Sequence, residues 1–472
     1  MLRPWLIQLE IDKNSSKAIY IQIADKIISY IKNGTLKAGE ALPGTRKIAS
    51  SLNVNRNTVV QAFDLLLAEG WLISAERAGS YVSDKLPSFI FSDRNEDTHS
   101  PHIQKIIGNE PIFFDDGLPD ASCAPINELA RSYRRIFARK AGWKVMNRTS
   151  EFGDIHFREG ISKMLNHNRS MDTSAKQICI TRGSQMAFCL TAQCLLKKGD
   201  VVLIENPGFR PAWETFLHAG ATLIPIPVDE EGIRTDEIVE ALKSYDVKAV
   251  FISPHHQYPT TVTLSLSRRL ELIELSNKHK FCIIEDDYDN DYHFGQRPIM
   301  PVSAYEGVHN YVYIGTLSKL IAPAIRIGYI YSSIEFVEQV GRLRRIVDLQ
   351  GDSIMEQAIL ELLDSGDISR HRKRMINHYS EKRDFFESLL DYYLKDQIAY
   401  KKPDGGLAFW IQPLDTDIDL YKLKERTSLK QVGFYTPDRF SFGEAVQGIR
   451  LGYASLSKSD LEKGIQTLAE YL

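Results

Sequence analysis

A lysine stands inside an apolar segment of the sequence, in the run TLSKLIAPAIRIGY at residues 316–329. A buried ammonium group is costly unless it is paired or loses its proton, so such a lysine is predicted to have a lowered pKa and to act as an amine nucleophile. Thr316, Ser318 and Arg326 accompany Lys319 and offer donors of the kind that bind phosphate. The alternative is a lysine whose amine extends to the surface, and the segment taken alone favours it.

Two further groups of polar residues follow apolar runs. GSQ at residues 183–185 follows ICITR and opens a helix, whose free N–H groups suit a phosphate. EDDYD at residues 285–289 follows FCII, and its acids repel one another unless a cation or a protonated ring lies among them. A solvated loop or a metal site is the alternative. No histidine pattern with metal-ligand spacing accompanies the acids, and His293 alone is typical of a surface residue, so we predict no metal site.

The three segments together describe one ligand. It has a phosphate, a pyridine nitrogen that needs an acid, and an aldehyde that needs a lysine. These are the chemical features of pyridoxal 5'-phosphate, which is therefore the predicted cofactor.

The elements that must position these groups alternate regularly from residue 176 onward. Helical stretches separate several of the short β-rich runs ICIT, DVVLIENPG, ATLIPIPV, KAVFISP, FCIIEDDYD, YVYIGT and IRIGYIYSS. This alternation predicts an α/β unit with a mostly parallel sheet that is buried on both faces. In such sheets the ligand lies at the carboxyl ends of the strands, which is where the three polar segments occur.

Residues 1–84 are predicted to form a separate unit. Isoleucines recur every four residues, at positions 19, 23, 27 and 31, and indicate a helix with one apolar stripe. Two short helices follow in TRKIASSLN and RNTVVQAFDLLLAEG, with Thr45 and Asn55 as their predicted caps. This pair is typical of a helix-turn-helix, and WLISA and GSYVS after it indicate a β-hairpin wing.

The charge of this unit favours DNA as its partner. From Lys17 to Gln61 there are seven Lys/Arg and two Asp/Glu, in a chain whose net charge is −3. Basic groups neutralise phosphates, and the second short helix is predicted to enter the major groove with Arg56, Asn57 and Gln61 toward the bases. The other predicted DNA contacts are Thr45, Arg46, Asn55, Thr58 and Gly79. A small helical protein-interaction domain with a solvated basic face is the alternative.

Composition sets the broad class of the protein. Its 472 residues exceed one ordinary core, and 43% hydrophobic with 25% charged residues is typical of a globular protein. Five scattered cysteines without a CxxC indicate a reducing compartment. No apolar run is long enough to predict a membrane span. The segment MLRPWLIQLEIDKN does not have the pattern expected of a signal peptide. We expect a cytoplasmic protein without membrane partners. Residues 85–111 are polar, contain proline and are predicted to be a linker.

The first unit is similar to the winged-helix domain of GntR-type transcription regulators. The similarity runs through LPGTRKIASSLNVNRNTVVQAFDLLLAEGWL and the AGSYV that follows. It implies a winged helix-turn-helix that binds operator double-stranded DNA. Two departures are Gly44, where the family commonly has serine, and the wing sequence RAGS, which lacks an additional glycine.

Residues 112–472 resemble fold-type-I aminotransferases of the aspartate aminotransferase superfamily. The most specific part is SK-x-x-x-P-x-x-R-x-G-Y around Lys319. The resemblance implies a large subdomain at about 155–335 and a small subdomain from the flanking segments. It implies that Lys319 forms a Schiff base with the cofactor aldehyde, that Asp286 pairs with the ring nitrogen, and that Tyr288 binds the ring hydroxyl. The other implied cofactor contacts are Gly183, Ser184, Gln185, Phe209, Gln257, Thr316, Ser318 and Arg326.

Outside the cofactor contacts, the resemblance assigns one substrate residue and leaves two departures. Arg450, in GIRLGYA, is implied to bind a substrate carboxylate, and a structural ion pair is the alternative. Thr261 stands where the superfamily usually has glycine. Phe152 stands where a tyrosine hydroxyl normally reaches the cofactor of the partner subunit.

The whole chain is identified as a member of the MocR-type regulators, which join a GntR-type winged helix to an aminotransferase-like domain. Membership implies a homodimer and a small-molecule effector, either pyridoxal phosphate itself or an amino compound sensed through Lys319. The alternatives are a working aminotransferase with an accessory DNA-binding domain, and a scaffold that binds no cofactor. The missing hydroxyl at Phe152 favours sensing, with little or no turnover, over catalysis.

Overall fold

The computed structural model describes residues 11, 12, 15, 17–75, 79–84, 111–139, 147, 149–289, 291–295 and 299–472. The chain divides into two compact units, residues 1–102 and 103–472. The predicted linker lies outside the described residues except for Pro111, and so does the tip of the predicted wing at 76–78. Within the described ranges, no helix combines the length and the apolar composition that crossing a membrane requires.

The first unit has the predicted winged helix-turn-helix arrangement. Its elements are α1 (Ile19–Lys32), α2 (Thr45–Leu52), α3 (Arg56–Ala68), β1 (Leu72–Ala75) and β2 (Gly79–Val82). The two strands are antiparallel, with Leu72 opposite Val82. Ile23 and Ile27 of α1 are fully buried with Val59 and Leu66 of α3, so the predicted apolar stripe forms the core of this unit.

One of the two predicted helix caps is confirmed and the other is wrong. The side chain of Asn55 accepts a hydrogen bond of 2.9 Å from the N–H of Asn57 and caps α3. Thr45 does not cap α2, because it is already the first helical residue and Gly44 occupies the cap position. Glycine has no side chain to donate or accept, so α2 begins without a side-chain cap.

In the second unit, the first described element is a short strand, β3 (Ile112–Phe114), and an eight-stranded sheet follows. The strands of that sheet are β4 (Ile178–Thr181), β5 (Val201–Asn206), β6 (Thr222–Asp229), β7 (Gly232–Ile233), β8 (Val247–Ile252), β9 (Cys282–Asp287), β10 (Tyr311–Thr316) and β11 (Gly328–Tyr331). Their spatial order is β4-β11-β10-β9-β8-β5-β6-β7. Neighbours from β10 to β6 run parallel, whereas β11 and β7 are antiparallel to their neighbours.

Helices cover both faces of this sheet, and its central strands are buried on both sides. Consecutive residues Ile283 and Ile284 of β9 point to opposite faces and are both fully buried. This confirms the predicted α/β sheet with two buried faces. The helices of the second unit are α4 (Ile126–Ala138), α5 (Ile155–Arg169), α6 (Gly183–Leu195), α7 (Arg210–His218), α8 (Thr235–Ser244), α9 (Leu266–His279), α10 (Ile334–Val347), α11 (Ser353–Asp364), α12 (Asp367–Tyr393), α13 (Leu420–Leu429) and α14 (Lys458–Ala469).

A smaller core forms from the segments that flank the large sheet. It contains β12 (Ile398–Tyr400), β13 (Ala408–Pro413), β14 (Val432–Phe434) and β15 (Ile449–Gly452). Strands β12, β13 and β15 form an antiparallel sheet. Strand β3 pairs in parallel with β14, so the chain that precedes the large sheet joins the chain that follows it.

Candidate functional site

Lys319 lies just beyond the end of β10, where the sheet presents the carboxyl ends of its strands. Its Nζ donates a hydrogen bond of 2.5 Å to the carbonyl oxygen of Gly117 and lies 5.4 Å from the centre of the Tyr288 ring. Burial lowers the pKa of the Lys319 amine, against the opposing effect of the Asp289 carboxylate. The site therefore holds an amine that loses its proton more readily than an ordinary lysine.

Asp286 lies near the end of the neighbouring strand β9, opposite Ile314 of β10. Its side chain is buried, and its Oδ1 has no hydrogen-bond partner within the described part of the chain. Burial raises the pKa of the Asp286 carboxyl well above its usual value, and the carboxylates of Asp287 and Asp289 raise it further. A protonated ring nitrogen would satisfy both the free oxygen and the charge.

Asp287 faces the opposite side of β9, as alternation along a strand requires. Its carboxylate accepts a hydrogen bond of 3.1 Å from Arg169 and another from Tyr313. Burial opposes ionisation of Asp287, but Arg169, followed by His255 and Tyr313, holds its pKa below the usual value. Of the two adjacent acids, one is neutralised by the protein and the other is left for a ligand.

The beginning of α6 and the segment after β10 provide a phosphate-sized set of donors. Gly183 starts α6 with a φ of +76°, and a side chain there would lie 2.6 Å from the guanidinium of Arg326. Glycine thus permits the close approach of Arg326 to the free N–H groups of the helix. Ser184, Thr316 and Ser318 line the same cavity, and the Oγ of Ser318 is buried without a partner among the described residues.

Aromatic rings form another part of the cavity wall. Phe209 lines the cavity and meets the ring of Tyr258 edge to face at 5.2 Å. Tyr288 also lines it, and its hydroxyl donates a hydrogen bond of 2.6 Å to the carbonyl oxygen of His256. Such a wall suits a planar ring.

Three residues predicted as cofactor contacts, Gly183, Gln185 and Gln257, are not among the residues that line the cavity. Gln185 is exposed and donates to the carbonyl oxygen of Pro211. Gln257 is buried, and its amide is fully engaged: its nitrogen donates to Glu205 and Pro207, and its oxygen accepts from Thr260. The structure therefore corrects the predicted placement of Gln257 beside the ring hydroxyl.

Arg450 lies behind the cavity wall and is buried. Its guanidinium donates to the carbonyl oxygens of Asp116 and Pro259 and to the hydroxyl of Tyr288. No described carboxylate lies within ion-pair distance of it, so its contacts are not those of a structural ion pair. A buried guanidinium held only by neutral acceptors is suited to an incoming carboxylate.

Sequence reasoning missed part of the cavity lining. The additional lining residues are Asp116, Leu118, Tyr258, Pro323 and Arg439. The acid pair in FFDDG, which follows a short apolar run as EDDYD does, was a usable signal for Asp116. No sequence pattern indicated that Arg439 lines the cavity, because it is far along the chain from most of the other site residues.

The first unit presents its predicted DNA contacts at the surface. Arg56 and Asn57 at the start of α3 are exposed, as is Gln61 one turn later. Such a helix start is the part that enters a major groove. Of the remaining predicted contacts, Arg46, Asn55 and Gly79 are exposed and Thr45 and Thr58 are partly buried.

Comparisons with known proteins divide the chain in the same way. Residues 19–82 match the family described as bacterial regulatory proteins, gntR family. Residues 130–468 match the family described as aminotransferase class I and II.

Two similar regulators match along nearly the whole chain. The probable rhizopine catabolism regulatory protein MocR of Rhizobium meliloti is 26% identical over 481 residues, which covers 98% of this chain and 95% of MocR. The HTH-type transcriptional regulator YisV of Bacillus subtilis is 27% identical over 483 residues, covering 98% of each. Among solved structures, an archaeal alanine:glyoxylate aminotransferase has a TM-score of 0.72 at 27% identity, covering 76% of this chain and 90% of its own.

Proposed function

Because the chain belongs to the aminotransferase class I and II family and carries a GntR-type regulator domain ahead of that region, we propose that it is a transcription regulator that senses pyridoxal phosphate, or an amino compound through it, at Lys319. Pyridoxal 5'-phosphate is the cofactor expected of this family. One observation carries the proposal. An amine with a lowered pKa and an unpaired buried carboxylate, Lys319 and Asp286, line a single cavity in a chain that also has a DNA-binding unit.

The residues of the cavity fit this cofactor. The free Oδ1 of Asp286 and the free Oγ of Ser318 are two buried atoms that lack partners among the described residues, and the cofactor offers a ring N–H and a phosphate. Arg326 beside Gly183 adds a cation for the phosphate. When bound, pyridoxal phosphate supplies an aldehyde that reacts with amines and a ring that withdraws electrons.

Each residue has a distinct task in this proposal. Lys319 holds the aldehyde carbon, and its lowered pKa keeps a share of the amine unprotonated for that purpose. Asp286 keeps a proton on the ring nitrogen. Ser184, Thr316, Ser318 and Arg326 bind the phosphate, while Phe209 covers the ring. Arg450 takes the carboxylate of an amino compound.

Sensing requires that ligand binding and DNA binding favour the same arrangement of the protein. A ligand shifts DNA affinity only by the difference in its own affinity for the two arrangements. The two subunits of a homodimer can adopt alternative arrangements, and a homodimer can bind two half-sites of an operator. We therefore propose that the protein is a homodimer. We also propose that it acts in the cytoplasm. An exposed apolar stretch supports association, since Ile346, Val347 and Leu349 near the end of α10 are 83%, 56% and 42% exposed.

The test compares DNA binding by the wild type and by the Lys319→Ala variant, with Lys176→Ala as an exposed control. The DNA is the intergenic duplex next to the protein's own gene, followed by fluorescence anisotropy with and without pyridoxal phosphate. We expect the cofactor to change the affinity of the wild type and of Lys176→Ala, and to leave Lys319→Ala unchanged. An equal response in Lys319→Ala would reject sensing at this lysine.

A working aminotransferase is the second candidate function. It is supported by the neutral contacts of Arg450, which leave the guanidinium available to a substrate carboxylate. Phe152 supports the regulator instead, because it has no hydroxyl and its ring packs against Gly341. Steady turnover of an amino acid with a keto acid, at about 1 per second or faster, would favour the enzyme.

A further inference from the structure

Three side chains with different metal-binding groups meet where the segment before α4 contacts α12. Asp120 and Cys123 belong to that segment, and His378 lies on α12. A carboxylate oxygen of Asp120, the sulfur of Cys123 and a ring nitrogen of His378 all lie within 4.8 Å of one another, and the three side chains are partly buried. Zn²⁺ binds sulfur at about 2.3 Å and nitrogen or oxygen at about 2.1 Å, so small side-chain rotations bring these atoms onto one ion.

The groups that would bind the ion are left free by the rest of the protein. Oδ1 of Asp120 accepts hydrogen bonds from the N–H and the hydroxyl of Ser122, at 2.9 and 2.6 Å, whereas Oδ2 accepts none from a described residue. Within the described part of the chain, the sulfur of Cys123 and the ring nitrogens of His378 have no hydrogen-bond partner either, and Cys123 forms no disulfide. The bonds from Ser122 orient the carboxylate, as is usual for a carboxylate that binds a metal.

Neighbouring contacts already hold the two segments together. The N–H of Asp120 donates a hydrogen bond of 3.0 Å to the hydroxyl of Tyr379, which follows His378 on α12. The rings of His378 and Tyr379 meet edge to face at 5.2 Å. Cys123 packs against the buried core to which Tyr379 belongs. The three groups are therefore carried by a preformed contact, which reduces the cost of ordering them around an ion.

Lys382, one turn further along α12, is a cation of the protein that could neutralise these groups instead. It interacts electrostatically with both Asp120 and Cys123. Its Nζ, however, donates a hydrogen bond of 2.6 Å to the carbonyl oxygen of Ala454, and among the described residues no ion pair is formed with Asp120. Lys382 therefore leaves the carboxylate and the thiol available to another cation.

We propose that Asp120, Cys123 and His378 bind one Zn²⁺ ion, with water in the fourth position. A thiolate, an imidazole and a carboxylate are the ligand types that zinc takes in proteins, and three of them leave one position of its tetrahedron open. Mg²⁺ and Ca²⁺ take oxygen ligands, so the thiol and the imidazole select against both ions. The thiol gives its proton to the solvent as the metal–sulfur bond forms.

This site is separate from the cavity that contains Lys319, because none of the three residues lines that cavity. It is nevertheless connected to it through the chain. The carbonyl oxygen of Gly117, in the same segment as Asp120, accepts the hydrogen bond from the amine of Lys319. The ion thus joins to α12 the segment that supplies this acceptor. No metal site is predicted from the sequence, because His378 lies far along the chain from Asp120 and Cys123.

The experiment titrates the metal-stripped, reduced full-length protein with Co²⁺, which takes the same ligands as Zn²⁺ and absorbs near-ultraviolet light when bound to a thiolate. We expect the wild type to bind one equivalent of Co²⁺ with this absorption band, and Zn²⁺ to displace it. Cys123→Ser should lose the band. His378→Ala should weaken Co²⁺ binding by about 100-fold or more, because even the loss of a group that only orients a ligand weakens metal binding by about 10- to 100-fold.

Two variants provide matched controls. Cys189 is a partly buried cysteine on α6, and His156 is an exposed histidine that pairs with Glu159. Cys189→Ser and His156→Ala should both keep the band and the affinity of the wild type. Absence of the band in the wild type, its persistence in Cys123→Ser, or its loss in Cys189→Ser would overturn the proposal.

A second measurement locates the ion without relying on any variant that removes a packed side chain. Hydrogen–deuterium exchange of residues 115–124 should slow when Zn²⁺ is added to the wild type, and should not change with Mg²⁺. Asp120→Asn keeps an oxygen for the bonds from Ser122 but removes the charge, so it should need about tenfold more Zn²⁺ for the same protection. Equal protection by Mg²⁺, or unchanged exchange with Zn²⁺, would reject the site. Neither measurement involves pyridoxal phosphate, so the outcome is independent of the proposed function.

Discussion

The amine of Lys319 donates a hydrogen bond of 2.5 Å to the carbonyl oxygen of Gly117, a residue 202 positions earlier in the chain. Gly117 has a φ of +83°, and a side chain there would lie 3.2 Å from the backbone of Leu407, so this close approach needs glycine. The acceptor is neutral. Releasing the amine to a ligand therefore breaks one hydrogen bond, with a net contribution of about 1 kcal/mol, and breaks no ion pair.

Replacing Lys319 with alanine should remove covalent attachment of pyridoxal phosphate. We expect borohydride reduction of the loaded wild type, followed by peptide mass analysis, to find the pyridoxyl group on Lys319, because its pKa is lowered and it lines the cavity. The Lys319→Ala protein should carry no such group. The exposed Lys176 serves as control, and a modified Lys176 peptide in place of the Lys319 peptide would contradict the assignment.

Replacing Asp286 with asparagine should weaken cofactor binding. The change preserves the size of the side chain but removes the charge that pairs with a ring N–H, a charge-assisted bond that contributes about 1.5–3 kcal/mol. We expect the dissociation constant of pyridoxal phosphate, measured by absorbance titration, to rise roughly 10- to 100-fold. Glu285→Gln is the matched control, because Glu285 lies next along β9 and accepts from the backbone N–H groups of Val302 and Ser303. A similar rise in both variants would contradict the role of Asp286.

The central strands of the large sheet were predictable because they are apolar runs buried on both faces, as VVLIEN and CIIEDD show. Lys319 and Asp286 were predictable from the same runs, since a charged residue at the carboxyl end of a buried strand lies where such sheets bind their ligands. Gln257 was placed wrongly because it lies among the bends and turns between β8 and α9, where no regular alternation predicts the direction of a side chain. Its neighbour Tyr258 faces the cavity instead.

Asp116 and Arg439 could not be brought together from the sequence. Their proximity depends on the pairing of β3 with β14, whose paired residues Ile112 and Val432 are far apart in the chain. Both strands are only three residues long, so neither has a periodicity that identifies it or its partner. The first residue of α2 could not be predicted from the sequence either. The backbone conformation of Gly44, rather than the side chain of Thr45, decides which residue occupies the cap position.

Replacing Glu205 with glutamine should change how stability depends on pH. Burial raises the pKa of Glu205 from its usual 4.5 to about 7, against the lowering effect of its hydrogen bonds with Ser253 and Gln257. The unfolded chain therefore releases this proton first as the pH rises, so the contribution of Glu205 to the free energy of unfolding falls between about pH 4.5 and pH 7 and levels off above. We expect urea denaturation to show that the free energy of unfolding of Glu205→Gln, relative to that of the wild type, increases by about 3 kcal/mol from about pH 4.5 to about pH 8.

The exposed Glu214 provides the control for this measurement. Glu214→Gln should follow the pH dependence of the wild type, because this side chain lies at the surface and is not buried by folding. Parallel curves for the wild type and Glu205→Gln would show that burial of Glu205 does not penalise its ionised form.

Replacing Arg46 with alanine should reduce the salt dependence of DNA binding. Arg46 is exposed at the start of α2 and is predicted to neutralise a phosphate, so its loss releases one fewer counterion. For a random duplex of about 30 base pairs followed by fluorescence anisotropy between about 50 and 200 mM salt, the slope of log K against log salt should become shallower by about 0.9 per bound domain. Asn57→Ala, which changes no charge, should leave that slope unchanged on random DNA, as should Arg210→Ala in the second unit. A slope in Arg46→Ala equal to that of the wild type would mean that Arg46 does not contact the DNA backbone.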